Sequence, residues 1–196
     1  MLGPSFFARA PLICARELIG AELVWGRCRG RIVETEAYAA LDDEASHTFV
    51  RRGTREFLQR NPPGTAYVYL NYGVHWLFNV LVKGGGGAND GFVLVRALEP
   101  TGGLAQMRRR RGLEPVQKLC SGPGKLTEAL GIDGRTHGRD LCTSPAHGIA
   151  LASGPAPAVV MDPRIGITRS ADLPWRFLAA ESPFVSVRPS LLARKV

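Results

Sequence analysis

The sequence predicts a mixed α and β fold in one domain, on three observations. Neighbouring stretches rich in β-branched and aromatic residues are joined by glycines, the pattern of hairpin strands. Between them lie short stretches opened by proline and closed by glycine, which read as helices. The whole is 196 residues with 45% apolar content, enough to bury one sizeable core.

In chain order, Pro11 to Leu18 is the first helix, with Gly20 as its stop. Ala21 to Trp25 and Cys28 to Tyr38 form a hairpin around Gly26. Arg51 to Arg60 is polar, helical or looped, and is broken by Asn61-Pro62-Pro63-Gly64. Thr65 to Tyr72 and Val74 to Val82 are strands either side of Gly73. Alternation puts Tyr67, Tyr69 and Asn71 on one face of the first, and His75, Leu77 and Asn79 on one face of the second. Gly84 to Gly87 make a loop, and Gly91 to Leu98 a further strand that carries Arg96 in an apolar run. An arginine there must pair with a carboxylate or reach a ligand. Glu99-Pro100-Thr101 leads into a helix that ends in Arg108 to Arg111 and Gly112, where cations favour the helix dipole. Ser121 to Lys125 precedes another helix, Leu126 to Leu130, whose start could hold a phosphate or simply be capped by Ser121. The Gly- and Pro-rich remainder holds short strands at Gly148 to Ala152, Ala158 to Met161 and Phe184 to Val187, and no second domain.

Composition narrows the partners. The formal charge is +8 and the isoelectric point about 9.9, so attraction to a polyanion is expected. No apolar run is long enough to cross a bilayer, and the N-terminus lacks the pattern of a signal peptide. No membrane partner and a cytoplasmic location, at the nucleoid in a bacterium, are therefore expected. Cys14, Cys28, Cys120 and Cys142 are scattered, without metal-ligand spacing, and read as free thiols; neither a metal nor a cofactor is expected.

The stretch Arg31 to His47, RIVETEAYAALDDEASH, concentrates the chemistry. As a strand it places Ile32, Glu34, Glu36 and Tyr38 on one side and Val33, Thr35 and Ala37 on the other. An acidic loop, Asp42, Asp43 and Glu44, then leads to His47. Two carboxylates, a phenol ring and an imidazole so close together suit the lining of one pocket. Spacing alone does not choose between Glu34 and Glu36.

These landmarks, in this order, resemble the alkyladenine (3-methylpurine) DNA glycosylase family. The matching segments are GRIVETEAY (30–38), DEASH (43–47), PGTAYVYLNYG (63–73), Asn79, VLVRALEP (93–100) and LCSGPGKL (119–126), followed by RIGIT (164–168) and PWRF (174–177). The resemblance implies a single α+β domain with a curved, mainly antiparallel sheet. It implies a monofunctional enzyme that flips alkylated or deaminated purines out of duplex DNA, and hydrolyses the N-glycosidic bond to leave an abasic site in base excision repair. Glu36 is then the general base. Tyr38, His47 and Tyr69 are the walls around the base, and Asn79 helps reject unmodified guanine. Tyr72 is the side chain inserted into the duplex, and Arg96 contacts DNA beside the flipped nucleotide. Lys125, at a helix start, is placed for a phosphate. The partner is double-stranded DNA with damaged purines, bound by a monomer. The chain departs from the family at Arg51 to Glu56, where an Arg-Thr-Pro-Arg-Asn type segment is usual, and at Val74-His75.

The residue types suit that chemistry. A base inside a duplex must be extruded before its sugar carbon can be attacked. Aromatic faces restore lost stacking, and they attract the positive charge of an N-alkylated purine. A carboxylate stabilises the developing sugar cation and takes a proton from water. None of the four lysines falls in a pocket motif, so no Schiff-base lyase step is expected. A non-catalytic basic nucleic-acid-binding module would explain the charge and the aromatics equally well, but would not need the glutamate. A metal-dependent hydrolase built on His47 and its acidic neighbours fits less well, because the ligand spacing is poor.

Overall fold

The computed structural model describes residues 1–112 and 115–196. Two helices, α1 (Pro4–Phe7) and α2 (Pro11–Glu17), lead to β1 (Glu22–Trp25) and the long β2 (Cys28–Ala39). Helices α3 (His47–Val50) and α4 (Arg52–Arg60) precede the strands β3 (Ala66–Asn71), β4 (His75–Lys83) and β5 (Asp90–Gly102). Then come α5 (Leu104–Arg111), α6 (Val116–Leu119) and α7 (Pro123–Leu130), and the short strands β6 (His147–Ala150), β7 (Val159–Asp162), β8 (Arg176–Ala179) and β9 (Arg194–Lys195). Every strand pairing among the described residues is antiparallel. The main path runs β3-β4-β5-β2-β8-β7-β9, with β1 on β2 and β6 on β1, and it does not close into a barrel. This is the α+β, mainly antiparallel architecture expected.

The two faces of the sheet have different tasks, and side-chain alternation assigns them. Val33, Ala37, Ala66, Val68, Phe78, Val80, Val93, Val95 and Ala97 point into the core, where Ala15, Met107, Leu126 and Ala129 of α2, α5 and α7 cover them. The intervening residues Tyr67, Leu81 and Phe92 form a second cluster on the other face, packed with Phe57 and Leu58 of α4 and with Tyr69. Helix ends follow local chemistry. Pro11 and Pro123 begin α2 and α7, while Gly112 and Gly131, both left-handed, end α5 and α7. The basic last turn of α5 is thus placed favourably for its dipole.

β2 organises the sheet. One edge pairs with β5 along most of its length, while the other pairs with β1 up to Arg31 and with β8 from Glu34 to Glu36. The register against β5 shifts between Ile32 and Glu34 and again between Glu34 and Thr35. These irregularities correct the expected alternation: Ile32 joins Val33 in the core instead of lying beside Glu34. The buried hydroxyl of Thr35 donates to the Ala15 carbonyl at 2.8 Å and ties α2 to this stretch.

Some boundaries differ from the sequence reading. Glu99 to Gly102 continue β5 instead of leading into the helix. Pro100 is tolerated because β4 pairs with β5 only from Asp90 to Leu94, so β5 has no β4 partner there to donate to. Arg51 to Arg60, read as helical or looped, is helical: Arg51 caps α3 and α4 follows. Phe184 to Val187 is not a strand. The strand is Arg176–Ala179, and the later segment loops back to satisfy buried carboxylates.

Gly91, opposite Ala39, is where β5 comes closest to the end of β2. A Cβ there would fall against the Tyr38 carbonyl oxygen, with the Ala39 Cα at 3.1 Å. Gly91→Ala is expected to destabilise the protein by roughly 1–3 kcal/mol, as overpacking against backbone does. A urea midpoint equal to that of the wild type would show that the pair relaxes freely.

Candidate active site

Four adjacent strands lay one row of side chains across the polar-facing side of the sheet. Tyr67 of β3 is paired with Asn79 of β4, Asn79 with Leu94 of β5, and Leu94 with Glu36 of β2. Tyr69 opposite Leu77 and Tyr38 opposite Phe92 flank that row. A cleft of ≈ 610 Å³ opens above it. Tyr38, His47, Tyr69, Asn79, Tyr72, Arg96 and Lys125 all line this cleft, so residues 87 positions apart in sequence meet at one surface.

Glu36 lies immediately behind the wall, fully buried. Its Oε2 accepts from the Tyr38 hydroxyl at 2.8 Å and from Arg96 at 3.1 Å, and its Oε1 accepts from the Ile165 amide at 2.8 Å. Tyr38, Arg96 and Ile165 are themselves cleft-lining residues. Glu34 sits deeper. It accepts from Arg96 Nε (2.9 Å), from Arg176 (3.2 Å), and from the amide and hydroxyl of Ser186. Arg176 continues to Asp162, which Ser190 also holds. The two glutamates differ in their neighbours: Glu36 adjoins the cleft, and Glu34 adjoins the interior. Of the alternatives for Arg96, carboxylate pairing is present, on a side chain that also reaches the cleft wall.

The aromatic lining is interlocked. The His47 ring lies 4.3 Å from that of Tyr69, and its Nδ1 is 3.0 Å from the Tyr67 hydroxyl, which also meets Thr54. Burial, helped by the nearby Arg51 charge, pushes the His47 imidazole down to about 4, so it is neutral near pH 7. Burial first, and then the Glu36 charge, push the Tyr38 phenol well up, so it stays protonated and donates to that carboxylate. Asn79 is buried, with its amide donating to the Tyr67 carbonyl at 3.1 Å.

Arg164 supports one side of the cleft. Fully buried, it grips Asp43 with two nitrogens (2.7 and 2.8 Å), donates to the Ala37 carbonyl, and lies 4.6 Å from the centre of the Tyr38 ring. One face of that ring is therefore taken. The following residues Ile165, Gly166 and Ile167 form wall. RIGIT carries part of the family resemblance, but no periodicity in it marks a role. The signal is the buried arginine, visible only once Asp43 is opposite it.

The rim has other features. Tyr72 is 90% exposed and adopts a left-handed backbone (φ 49°) at the β3–β4 turn, followed by Gly73, also left-handed. A bulky residue there is strained, and its exposure brings no compensating burial. Lys125 lies within the cleft lining, near the Arg111–Glu128 ion pair (2.6 Å), although no pocket motif marked it in the sequence.

Comparison with known proteins follows this geometry. The family model for Methylpurine-DNA glycosylase matches residues 5–183. Ser186 and Ser190, which hold Glu34 and Asp162, fall past that span. Among curated relatives, two Rhodopseudomonas palustris proteins are 48% and 49% identical over 190 and 191 residues, each covering 94% of this chain and 89% and 92% of their own. A Nitrosospira multiformis protein is 46% identical over 187 residues, covering 95% of this chain and 94% of its own. All three bear the name "Putative 3-methyladenine DNA glycosylase".

The depressed His47 predicts a pH dependence. Between about 4 and its ordinary value of 6.5, the unfolded chain binds more protons at this residue than the folded one. Its contribution to stability is therefore complete above pH 6.5 and is lost as pH falls toward 4. Imidazole ¹⁵N shifts should keep the neutral pattern down to about pH 5; a midpoint at the ordinary value would contradict this.

Proposed function

The chain belongs to the methylpurine-DNA glycosylase family, an enzyme of the class that hydrolyses N-glycosyl bonds in DNA, and from that premise we propose how this cleft does so. A damaged purine is rotated out of the duplex into the space bounded by Tyr38, His47 and Tyr69. Water then replaces it on the deoxyribose, leaving an abasic site. The observation that carries this reading is the Glu36 carboxylate, buried directly behind a ring-lined cleft and held by three donors.

In this reading Glu36 takes the proton of the attacking water and its charge opposes the developing sugar cation. Tyr38 and Arg96 fix which way the carboxylate faces. Because one face of Tyr38 is occupied by Arg164, a base stacks on the other face or meets the edge. His47 and Tyr69 supply the opposing surface, and a neutral imidazole there does not repel a cationic alkylpurine. The same lining admits a deaminated, uncharged purine, with Asn79 at the row's centre screening the groups that distinguish guanine. Tyr72, held out at a strained turn, enters the duplex and fills the space the nucleotide vacates. Arg96 and Lys125 face the DNA at the cleft, Lys125 toward a phosphate. One cleft on one chain carries all these residues, so the enzyme acts as a monomer.

Glu36→Gln is expected to keep binding of a duplex bearing an abasic-site analogue while single-turnover release of alkylpurine falls roughly 10²–10⁴-fold, the range for a lost general base. Near-normal release would overturn the assignment. The presence of Lys125 in the cleft makes a second test meaningful: with borohydride, a hydrolytic enzyme leaves an unnicked abasic strand and no adduct. Trapping of a covalent protein–DNA complex would indicate Schiff-base chemistry instead.

A further inference from the structure

Glu34 has no role in the reaction as described, yet it is fully buried and accepts four hydrogen bonds. One guanidinium, Arg96, is shared between it and Glu36: Nε goes to Glu34 and NH1 to Glu36. A planar fork that makes both bonds cannot turn toward one carboxylate without leaving the other. Glu34 is anchored in turn by Arg176 and by both the amide and the hydroxyl of Ser186. That hydroxyl lands on Oε1, the same oxygen that receives Arg96 Nε.

We propose that Glu34 is a positioning residue for the glycosylase reaction: it draws off part of the Arg96 charge and sets the guanidinium's angle, so that Glu36 is oriented without being fully neutralised, and Ser186 tunes that share. A carboxylate paired one-to-one with a buried arginine is a poor proton acceptor. With Glu34 competing for the same cation, Glu36 is held in place while the Arg96 charge is shared between the two carboxylates. The remaining groups facing Glu36 are the Tyr38 hydroxyl and the Ile165 amide, neither of which is charged near pH 7. The sheet accounts for the arrangement: the register shifts on both sides of Glu34 let two glutamates two residues apart reach the same arginine of β5.

The inference rests on Glu36 being the general base, and the experiment separates the two. In Glu34→Gln, Arg96 is left facing Glu36 alone. The plateau single-turnover rate should fall by about tenfold, the size of a coupling between charges in contact, and the acid limb of the pH–rate profile should move to lower pH. Affinity for a duplex with an abasic-site analogue should stay within about twofold. Ser186→Ala removes a donor from Glu34 and leaves more negative charge beside Arg96, so its acid limb should move the opposite way, to higher pH. This smaller change also tests the idea if Glu34→Gln does not fold. A lowered plateau with an unmoved acid limb in both variants would mean a scaffold role only, and would overturn the proposal while leaving Glu36 standing. An active Glu36→Gln enzyme would overturn both.

Discussion

The shared arginine is the constraint on which the rest of the structure depends. Arg96 lies in the middle of β5, where a cation is costly unless its charge and donors are met. Glu34 and Glu36 meet them from β2, at a stretch where the β2–β5 register is irregular and β2 changes partner from β1 to β8. From there the network passes to Arg176 and Asp162, so five buried acidic and basic groups are linked at one wall of the cleft. A second buried pair, Asp43 with Arg164, fixes the adjoining wall and one face of Tyr38. Such pairs give little net stability against an apolar core, but each specifies geometry, because a misplaced partner leaves a bare charge.

The division of labour between the two sheet faces follows from the same economy. The core face is almost wholly aliphatic, and α2, α5 and α7 seal it. The other face gathers the rings and polar groups, with a smaller apolar cluster beneath them. Hydrophobic burial thus holds the strands in register, and the register brings Tyr67, Asn79 and Glu36 into line. Polar groups that would be expensive in the core are collected where a ligand is needed.

Much of this was legible in the residues alone. The faces of β3 and β4 follow alternation, so Tyr69 with Tyr67 and Asn79 with Leu77 were assigned correctly to one side. What alternation could not reach was the irregular part of β2, since a bulge leaves no periodic trace: Ile32 was placed on the wrong side for that reason. The different surroundings of Glu34 and Glu36 come from residues 165 and 186, supplied by loops without periodicity. Phe184 to Val187 has the composition of a strand, but its backbone and side-chain donors are directed to buried carboxylates instead of to a ladder. The resemblance located the pocket residues, while the supporting arginines 164 and 176 became visible only through their partners.

The buried network also bears on what the duplex senses at a distance. Among the described residues, the interior holds three arginines (96, 164, 176) and four carboxylates (34, 36, 43, 162), one negative charge in excess. The side chains outside this set therefore carry the whole of the positive formal total of +8. The long-range field follows the formal total of +8, and its positive part arises from solvent-facing side chains that mobile ions screen within a Debye length of about 8 Å at physiological ionic strength. Capture of DNA by this surface is consequently governed by salt, whereas the pairs beside Glu36 are shielded from it.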